Sequence, residues 1–189
     1  MLSGKITIAL AGLGSRGKDT YAQAVKKFPE KMEIVAIADI DPAKVEEVAE
    51  EFHIPQERCF TSAEDLIAQD KLADVMFITT QDQQHVRQAI PALRKGYHLL
   101  LEKPISPDLD ECRELVKVAK ECDRQVIVCH VLRYTPIYSK VKEVIDSGVA
   151  GDIVSVMSIE NVGYWHQAHS FVRGNWRNSN TTSPMILLM

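Results

Sequence analysis

The sequence has few cysteines, and none are spaced as metal ligands usually are. Four occur among 189 residues, without a CxxC pair, at Cys59, Cys112, Cys122 and Cys129. All four lie within apolar patterns, which predicts small buried side chains in a reducing compartment, rather than a disulfide framework or a zinc site. We therefore expect a cytoplasmic protein without a metal site.

The chain also lacks an excess of charge of one sign. Its formal net charge is −4, and acidic and basic residues are interspersed, so no basic surface for nucleic acid or for an anionic membrane is expected. No apolar run is as long as a membrane span, and there is no low-complexity or solenoid-type repeat. These absences favour a small-molecule partner over nucleic acid or membrane.

What is present begins with residues 5–17, KITIALAGLGSRG, which join a strand-like apolar run to three spaced glycines. In a strand–turn–helix junction the first glycine permits the tight turn, the second lets backbone approach a pyrophosphate, and the third lets the helix pack on the strand. Amides at the helix N-terminus then face the anion. The alternative is a glycine-rich turn that binds nothing. The predicted dinucleotide-binding residues here are Gly12, Leu13, Gly14, Ser15, Arg16 and Gly17.

A second apolar run, residues 33–38, ends at an acidic residue, Asp39. An acid about 20 residues beyond the last glycine accepts hydrogen bonds from the ribose hydroxyls of a dinucleotide. A carboxylate there repels a 2′-phosphate, and Ile40 supplies no cation, so NAD is preferred over NADP. Lys44 and Arg16 are near enough in sequence to leave NADP open as the less favoured cofactor.

Strand and helix patterns alternate over the first 130 residues, which predicts an α/β fold with a doubly wound parallel sheet. Asp41 is the expected N-cap of a helix that begins at Pro42, and Ser62 with Asp65 resembles a capping box. Further helices are expected over about 18–28, over 84–95, and from Ser106-Pro107 to about Cys122. Further strands are expected at 59–61, 75–79, His98–Leu101 and 126–129.

The pattern changes after His130, so we assign residues 1–130 to the dinucleotide-binding domain and 131–189 to the start of a second α/β domain. A helix is expected over 136–147, and residues 153–161 alternate as a half-exposed antiparallel strand does. The apolar tail 185–189 resembles an element cut short. We interpret the chain as an N-terminal fragment, with a natural short form as the alternative.

A second candidate site is LLLEKP at residues 99–104, at the end of a predicted strand. Ligands of open parallel sheets lie beyond the carboxyl ends of the strands, so Glu102 and Lys103 are expected beside the cofactor. A Lys-Pro bond can adopt the cis form, which would fix a sharp turn and aim the lysine. The alternative is a surface Glu–Lys pair ahead of a proline that starts a helix.

The preceding predicted strand ends in Thr79, Thr80 and Gln81, which should form the neighbouring wall of the cofactor site. His85 follows one helical turn later. It is a candidate contact of the nicotinamide ribose, and a histidine that only caps its helix is the equal alternative.

The segments GLGSRG, Asp39, TTQDQQH, EKP at 102–104 and HVLRYTP at 130–136 together resemble the Gfo/Idh/MocA family. The resemblance implies an N-terminal Rossmann domain and a C-terminal α/β domain whose open antiparallel sheet often supports homo-oligomers. It also implies hydride transfer between NAD(P) and a hydroxyl-bearing carbon of a sugar, a cyclitol or a related small molecule.

The resemblance assigns the catalytic role to Lys103, beside the nicotinamide and the reacting hydroxyl. An ammonium there would stabilise the developing oxyanion or relay its proton, with Glu102 orienting it. Arg133 and Tyr134 match the segment that borders the substrate cleft. His166 lies in an aromatic-rich segment, 163–176, that suits polyols, although a core or interface role fits this segment equally.

The family's acid/base histidine, in a Lys-x-x-His-like motif, has no counterpart in this sequence. We therefore expect these 189 residues to bind NAD with little or no turnover. Two other functions stay open at this point: a glycosidase that uses tightly held NAD for transient oxidation, and a nucleotide-binding sensor without catalysis.

Overall fold

The computed structural model describes residues 4–159 and 161–178. The chain divides into two compact units, the first ending at Val128 and the second beginning at Cys129. The described part of the first unit contains six strands: β1 Ile6–Ala11, β2 Met32–Ala38, β3 Cys59–Phe60, β4 Val75–Ile78, β5 His98–Leu101 and β6 Val126–Val128.

These strands form one parallel sheet in the order β3-β2-β1-β4-β5-β6. The chain moves outward from β1 to β3, returns to the other side of β1, and moves outward again through β6. The order therefore reverses between β1 and β4, and in open α/β sheets ligands bind at that switch point. The predicted doubly wound parallel sheet is confirmed.

Two apolar cores cover the two faces of the sheet because successive strand side chains point to opposite faces. Ile8 and Leu10 of β1 belong to one core, and Ala9 and Ala11 of the same strand belong to the other. All four side chains are fully buried. The small alanine side chains let helices approach their face of the sheet closely. Because both faces are covered, the sheet lies between two helical layers.

Helices connect the strands of the first unit: α1 Gln23–Lys27, α2 Pro42–Phe52, α3 Ala63–Ala68, α4 His85–Arg94 and α5 Leu109–Glu121. Val25 of α1 and Val48 of α2 pack into the core that contains Ile8. Leu66 of α3, Leu93 of α4 and Leu115 of α5 pack into the other.

The predicted caps of α2 and α3 are confirmed, and the predicted start of α5 is wrong. Asp41 accepts a hydrogen bond from the Ala43 amide, and Ser62 accepts one from the Asp65 amide. Helix α5 begins two residues after Pro107, because Asp108 is its N-cap and accepts from the amides of Asp110 and Glu111.

The helix that follows the glycines begins earlier than predicted, and with a different geometry. Residues Ser15–Ala22 form a π-helix, whose hydrogen bonds run between residues five apart, and α1 continues from it. The expected start at Lys18 is therefore wrong by one turn.

The second unit contains two α-helices among its described residues, α6 Pro136–Asp146 and α7 Tyr164–Gln167. Helix α6 agrees with the predicted helix over 136–147. A strand was predicted over 153–161, but residues 153–159 and 161 do not form one. An antiparallel strand needs a partner for its backbone groups, and the described residues offer none. The apolar tail 185–189 lies outside the described residues.

Cys129 is buried, and Cys59, Cys112 and Cys122 are half-buried free thiols. Residues 4–159 and 161–178 contain no group of three or more His, Cys, Asp or Glu side chains placed to hold a metal ion. In the same ranges, none of the helices has the length and apolar character needed to cross a membrane.

Candidate cofactor site and active site

The candidate site is built where four neighbouring strands end together. Ala11 of β1 is opposite both Ala38 of β2 and Ile78 of β4, and Ile78 is opposite Leu101 of β5. The residues that follow these strand ends therefore share one edge of the sheet: Gly12, Asp39, Thr79 and Glu102.

Two of the three glycines are required by the packing of the protein itself. Gly12 has a φ of +92°, and a Cβ there would lie 2.7 Å from the carbonyl carbon of Thr79. A Cβ at Gly17 would lie 1.9 Å from the carbonyl oxygen of Gly12. Neither position accepts a side chain, so β1, the turn and the following helix fit closely only with these glycines.

Gly14 differs, because nothing in the described protein explains the absence of its side chain. Its φ of −72° is open to any residue, and a Cβ there would meet no protein atom within 4 Å. A Cβ would project into open space at the N-terminus of the Ser15–Ala22 helix. A pyrophosphate is the group expected in such a space, so the glycine turn fits NAD.

Asp39 lies at the end of β2 and joins this strand to the glycine turn. Its Oδ2 accepts a hydrogen bond of 2.5 Å from the amide of Leu13, and its Oδ1 accepts one of 2.9 Å from the amide of Asp41. Each carboxylate oxygen has two lone pairs, so the half-buried side chain retains acceptor capacity for ribose hydroxyls. Ile40, which follows it, is 85% exposed.

Ser15 and Arg16 are exposed at the start of the Ser15–Ala22 helix. The next turn of this helix contacts α2. Lys18 donates a hydrogen bond to Glu47. This hydrogen bond raises the pKa of Lys18, and the resulting ion pair joins the helix to α2.

The predicted wall residues at the end of β4 have partners within the protein. The hydroxyl of Thr79 lies 2.6 Å from the carbonyl oxygen of Gly12 and 2.9 Å from that of Ala11, so Thr79 fixes the shape of the glycine turn. The hydroxyl of Thr80 donates to Gln88 at 2.6 Å. Gln81 is half-buried and precedes the short 3₁₀ turn Asp82–Gln84.

His85 is fully buried at the start of α4. Its Nδ1 lies 2.7 Å from the carbonyl oxygen of Pro104, and its Nε2 lies 3.0 Å from that of Thr80. A neutral imidazole has one N–H and donates to one of these carbonyls, whereas a protonated ring donates to both. The ring therefore holds the turn that carries Lys103 against the end of β4.

The EKP turn leaves β5 with Glu102 buried and Lys103 exposed. The amide of Glu102 donates to the carbonyl oxygen of Ile78 at 3.0 Å, and the bond between Lys103 and Pro104 is cis. Oε2 of Glu102 accepts a hydrogen bond of 2.9 Å from the Lys103 backbone amide. The carboxylate thus contacts the main chain of Lys103, and the ammonium is left to face solvent.

Three of the predicted substrate residues lie in the second unit, whereas Lys103 lies in the first. Arg133 and Tyr134 end the 3₁₀ turn Val131–Tyr134, and both are exposed. His166 lies in α7, with its ring centre 5.9 Å from that of Phe171. Substrate roles for these three residues stay predictions.

Sequence reasoning missed Tyr21, whose hydroxyl donates a hydrogen bond of 2.7 Å to Oε1 of Glu102. The two residues are 81 positions apart. Nothing in the local sequence signals this contact, which depends on the π-helical geometry of Ser15–Ala22. A tyrosine within two turns of a glycine fingerprint is the only available hint.

The fold and the strand-end site together define a dinucleotide-binding domain. A family model described as an oxidoreductase family with an NAD-binding Rossmann fold, Gfo/Idh/MocA, matches residues 6–130. The chain belongs to this family.

The relatives include dehydrogenases that are named for inositol and one that was solved with UDP-GlcNAcA. Inositol 2-dehydrogenase of Corynebacterium glutamicum is 28% identical over 159 residues, which cover 84% of this chain and 46% of that protein. The WlbA dehydrogenase from Bordetella pertussis, solved with NADH and UDP-GlcNAcA, superposes with a TM-score of 0.74 at 27% identity, covering 81% of this chain and 43% of that one.

The scyllo-inositol dehydrogenase from Lactobacillus casei, solved with NAD(H) and scyllo-inositol, gives a TM-score of 0.71 at 25% identity. The match covers 79% of this chain and 43% of that one. NAD as the cofactor agrees with the family and with these complexes. The chain spans less than half the length of these relatives.

Proposed function

We propose that this chain is the cofactor-binding part of an NAD-dependent oxidoreductase that acts on a hydroxyl-bearing carbon of a sugar, a cyclitol or a related small molecule. The observation that carries the proposal is the shared sheet edge at the switch point. There the glycine turn, Asp39 and the EKP turn emerge from neighbouring strands.

In this proposal the backbone amides around Gly14 hold the pyrophosphate, and Asp39 accepts hydrogen bonds from the adenosine ribose. Bound NAD supplies a hydride acceptor at its nicotinamide ring. The carboxylate of Asp39 supports a preference for NAD, because it would repel the 2′-phosphate of NADP.

Lys103 is the proposed catalytic residue. Loss of hydride from a carbinol carbon requires its hydroxyl to lose a proton, and an ammonium at Lys103 stabilises the resulting negative charge or passes the proton on. Two observations support this role: the side chain is exposed at the proposed cofactor edge, and the Glu102 carboxylate does not neutralise it.

The substrate class is supported by relatives named inositol dehydrogenases and by the WlbA complex with a nucleotide sugar acid. Because the chain spans less than half of those relatives, we propose that these 189 residues alone bind NAD with little turnover. Arg133, Tyr134 and His166 are the proposed substrate-binding residues of the second unit.

The test has a binding arm and a turnover arm. Calorimetry on the 189-residue chain should show NAD binding that survives Lys103→Ala with a loss of affinity of at most about tenfold. In the complete natural protein, screened against polyols and sugars for reduced-cofactor absorbance, Lys103→Ala should lower kcat by about 10²- to 10⁴-fold.

Lys117→Ala is the matched control, since Lys117 is an exposed lysine of α5 that forms only a surface ion pair with Glu121. It should leave both binding and kcat unchanged. A Lys103→Ala protein with full turnover would refute the catalytic assignment. Retained NAD response without any turnover in the natural protein would favour a sensor instead.

A further inference from the structure

The carboxylate of Glu102 is held from two directions. This side chain is only 6% exposed. Its Oε1 accepts the Tyr21 hydroxyl at 2.7 Å and lies 3.9 Å from Nε of Arg16, while its Oε2 accepts the Lys103 amide at 2.9 Å. One buried carboxylate thus joins the helix after the glycine turn to the backbone of the lysine turn.

This arrangement depends on the π-helical geometry of Ser15–Ala22. Arg16 and Tyr21 are five residues apart. In an α-helix of 3.6 residues per turn, residues five apart differ by about 140° around the axis and face different sides. In a π-helix, hydrogen bonds run between residues five apart, which brings such residues toward one side. Both side chains therefore reach the same carboxylate.

The ring of Tyr21 is itself fixed in place. It packs edge-on against Phe77 of β4, with ring centres 6.0 Å apart and planes inclined by 79°. Edge-to-face contacts of this kind favour one orientation of the ring, so the hydroxyl is directed at Glu102 before any ligand binds. Phenylalanine at position 21 would keep the ring contact and remove the hydrogen bond to Glu102.

We propose that Tyr21 is a positioning residue, which acts through Glu102 to set the place of Lys103 relative to the pyrophosphate-binding helix. The inference rests on the proposed function, since it assigns the role of Tyr21 within that same site. A buried carboxylate that loses its hydroxyl donor must find another partner or rearrange. The rearrangement is passed directly to the Lys103 amide, because Oε2 of the same carboxylate holds it.

A merely structural hydrogen bond would affect stability alone, so the test compares two ligands. ADP-ribose contains the pyrophosphate and the adenosine of NAD but lacks the nicotinamide, the end that the EKP turn should border. Calorimetry on the 189-residue chain should show that Tyr21→Phe weakens NAD binding about three- to tenfold and changes ADP-ribose affinity less than twofold.

Tyr97→Phe is the matched control, because Tyr97 is a buried tyrosine whose hydroxyl accepts a backbone hydrogen bond, from Leu72 at 2.8 Å. It should lower the melting temperature and leave both affinities within twofold of the parent chain. If Tyr21→Phe changes the ratio of NAD affinity to ADP-ribose affinity no more than Tyr97→Phe does, Tyr21 has only a structural role and the inference is wrong.

Glu102→Gln reaches the same contact from its other side, because the side-chain amide has a single oxygen where the carboxylate uses one oxygen for the Tyr21 hydroxyl and the other for the Lys103 amide. In a double-mutant cycle on NAD affinity, Tyr21→Phe and Glu102→Gln should be non-additive, whereas Tyr97→Phe and Glu102→Gln should be additive. Additivity in both pairs would overturn the inference. A parent chain that binds neither NAD nor ADP-ribose would instead overturn the proposed function itself, and the inference with it.

Discussion

The backbone amide of Leu13 donates a hydrogen bond of 2.5 Å to Oδ2 of Asp39, 26 residues further along the chain. This contact joins the turn after β1 to the end of β2, two strands that are neighbours in the sheet. Asp39 therefore shapes the glycine turn as well as facing the proposed ribose position. The two halves of the dinucleotide fingerprint are physically coupled.

Asp39→Ala should weaken NAD binding by about 1–3 kcal/mol, or about 5- to 150-fold, because a charged acceptor is lost and the Leu13 amide is left without its partner. Calorimetry measures the change. Asp41→Ala is the control: Asp41 is the N-cap of α2, so its loss should lower stability by about 1 kcal/mol without changing NAD affinity. Equal losses of affinity in the two variants would contradict the ribose role of Asp39.

Alanine substitutions at two glycines should separate folding from binding. Gly14→Ala should melt at the parent temperature and lose NAD affinity at least tenfold, because the new methyl group meets open space where the pyrophosphate is proposed to lie. Gly17→Ala should lose stability in addition to NAD affinity, because its Cβ would lie 1.9 Å from the Gly12 carbonyl oxygen. Normal NAD affinity in Gly14→Ala would place the pyrophosphate elsewhere.

His85→Ala should cost more than about 2 kcal/mol of unfolding free energy, since it empties a buried site and removes a ring that lies within hydrogen-bond distance of two backbone carbonyls. Thermal and chemical unfolding give the measurement. His53→Asn, at an exposed left-handed position with a φ of 56°, should be nearly neutral. An unchanged midpoint for His85→Ala would show that the ring does not hold the EKP turn.

Asp74 should make the stability of the sheet depend on pH under acidic conditions. The amide and hydroxyl of Thr7 both donate to Oδ2 of Asp74, at 2.9 and 2.7 Å, and these bonds lower the pKa of the carboxyl below its ordinary value of 3.8. The folded state then binds the proton more weakly than the unfolded state. The stabilisation is complete above about pH 3.8 and is lost as the pH falls through the folded pKa.

Asp74→Asn should therefore remove about 1–2 kcal/mol of unfolding free energy at neutral pH, and the difference from the parent should shrink as the pH falls below 4. Denaturant titrations at several pH values measure it. A difference that is constant across the acidic range would show that the carboxylate charge is not involved.

Much of the sheet was predictable because buried parallel strands are short apolar runs with clear ends. The strand His98–Leu101 and the N-cap Asp41 were both predicted to the residue. These features depend on local chemistry: an apolar run in one case, and an acceptor placed just before a proline in the other.

The start of α5 was mispredicted because two capping signals lie close together. Ser106-Pro107 and Asp108 each have the form of a helix start, and sequence alone does not rank them. In the fold, Asp108 accepts from two amides, and Ser106 donates instead to Glu111. The N-cap is therefore the residue whose side chain reaches the free amides of the first helical turn.

Long-range contacts within the site were beyond sequence reasoning. The fingerprint placed Gly12, Asp39 and Lys103 near one edge, since parallel strands end at the same edge. The sequence does not indicate that Tyr21 contacts Glu102, because this hydrogen bond depends on a π-helical turn that no simple periodicity predicts. Residues 153–159 and 161 do not form the expected strand for a related reason, since a strand forms only with a partner.

The central claim is that the glycine turn and Asp39 hold NAD. Calorimetric titration of the 189-residue chain with NAD, and separately with NADP, tests it most directly. The account predicts saturable binding of NAD, at least about tenfold tighter than that of NADP because the Asp39 carboxylate repels a 2′-phosphate. No binding of NAD, or tighter binding of NADP, would contradict it.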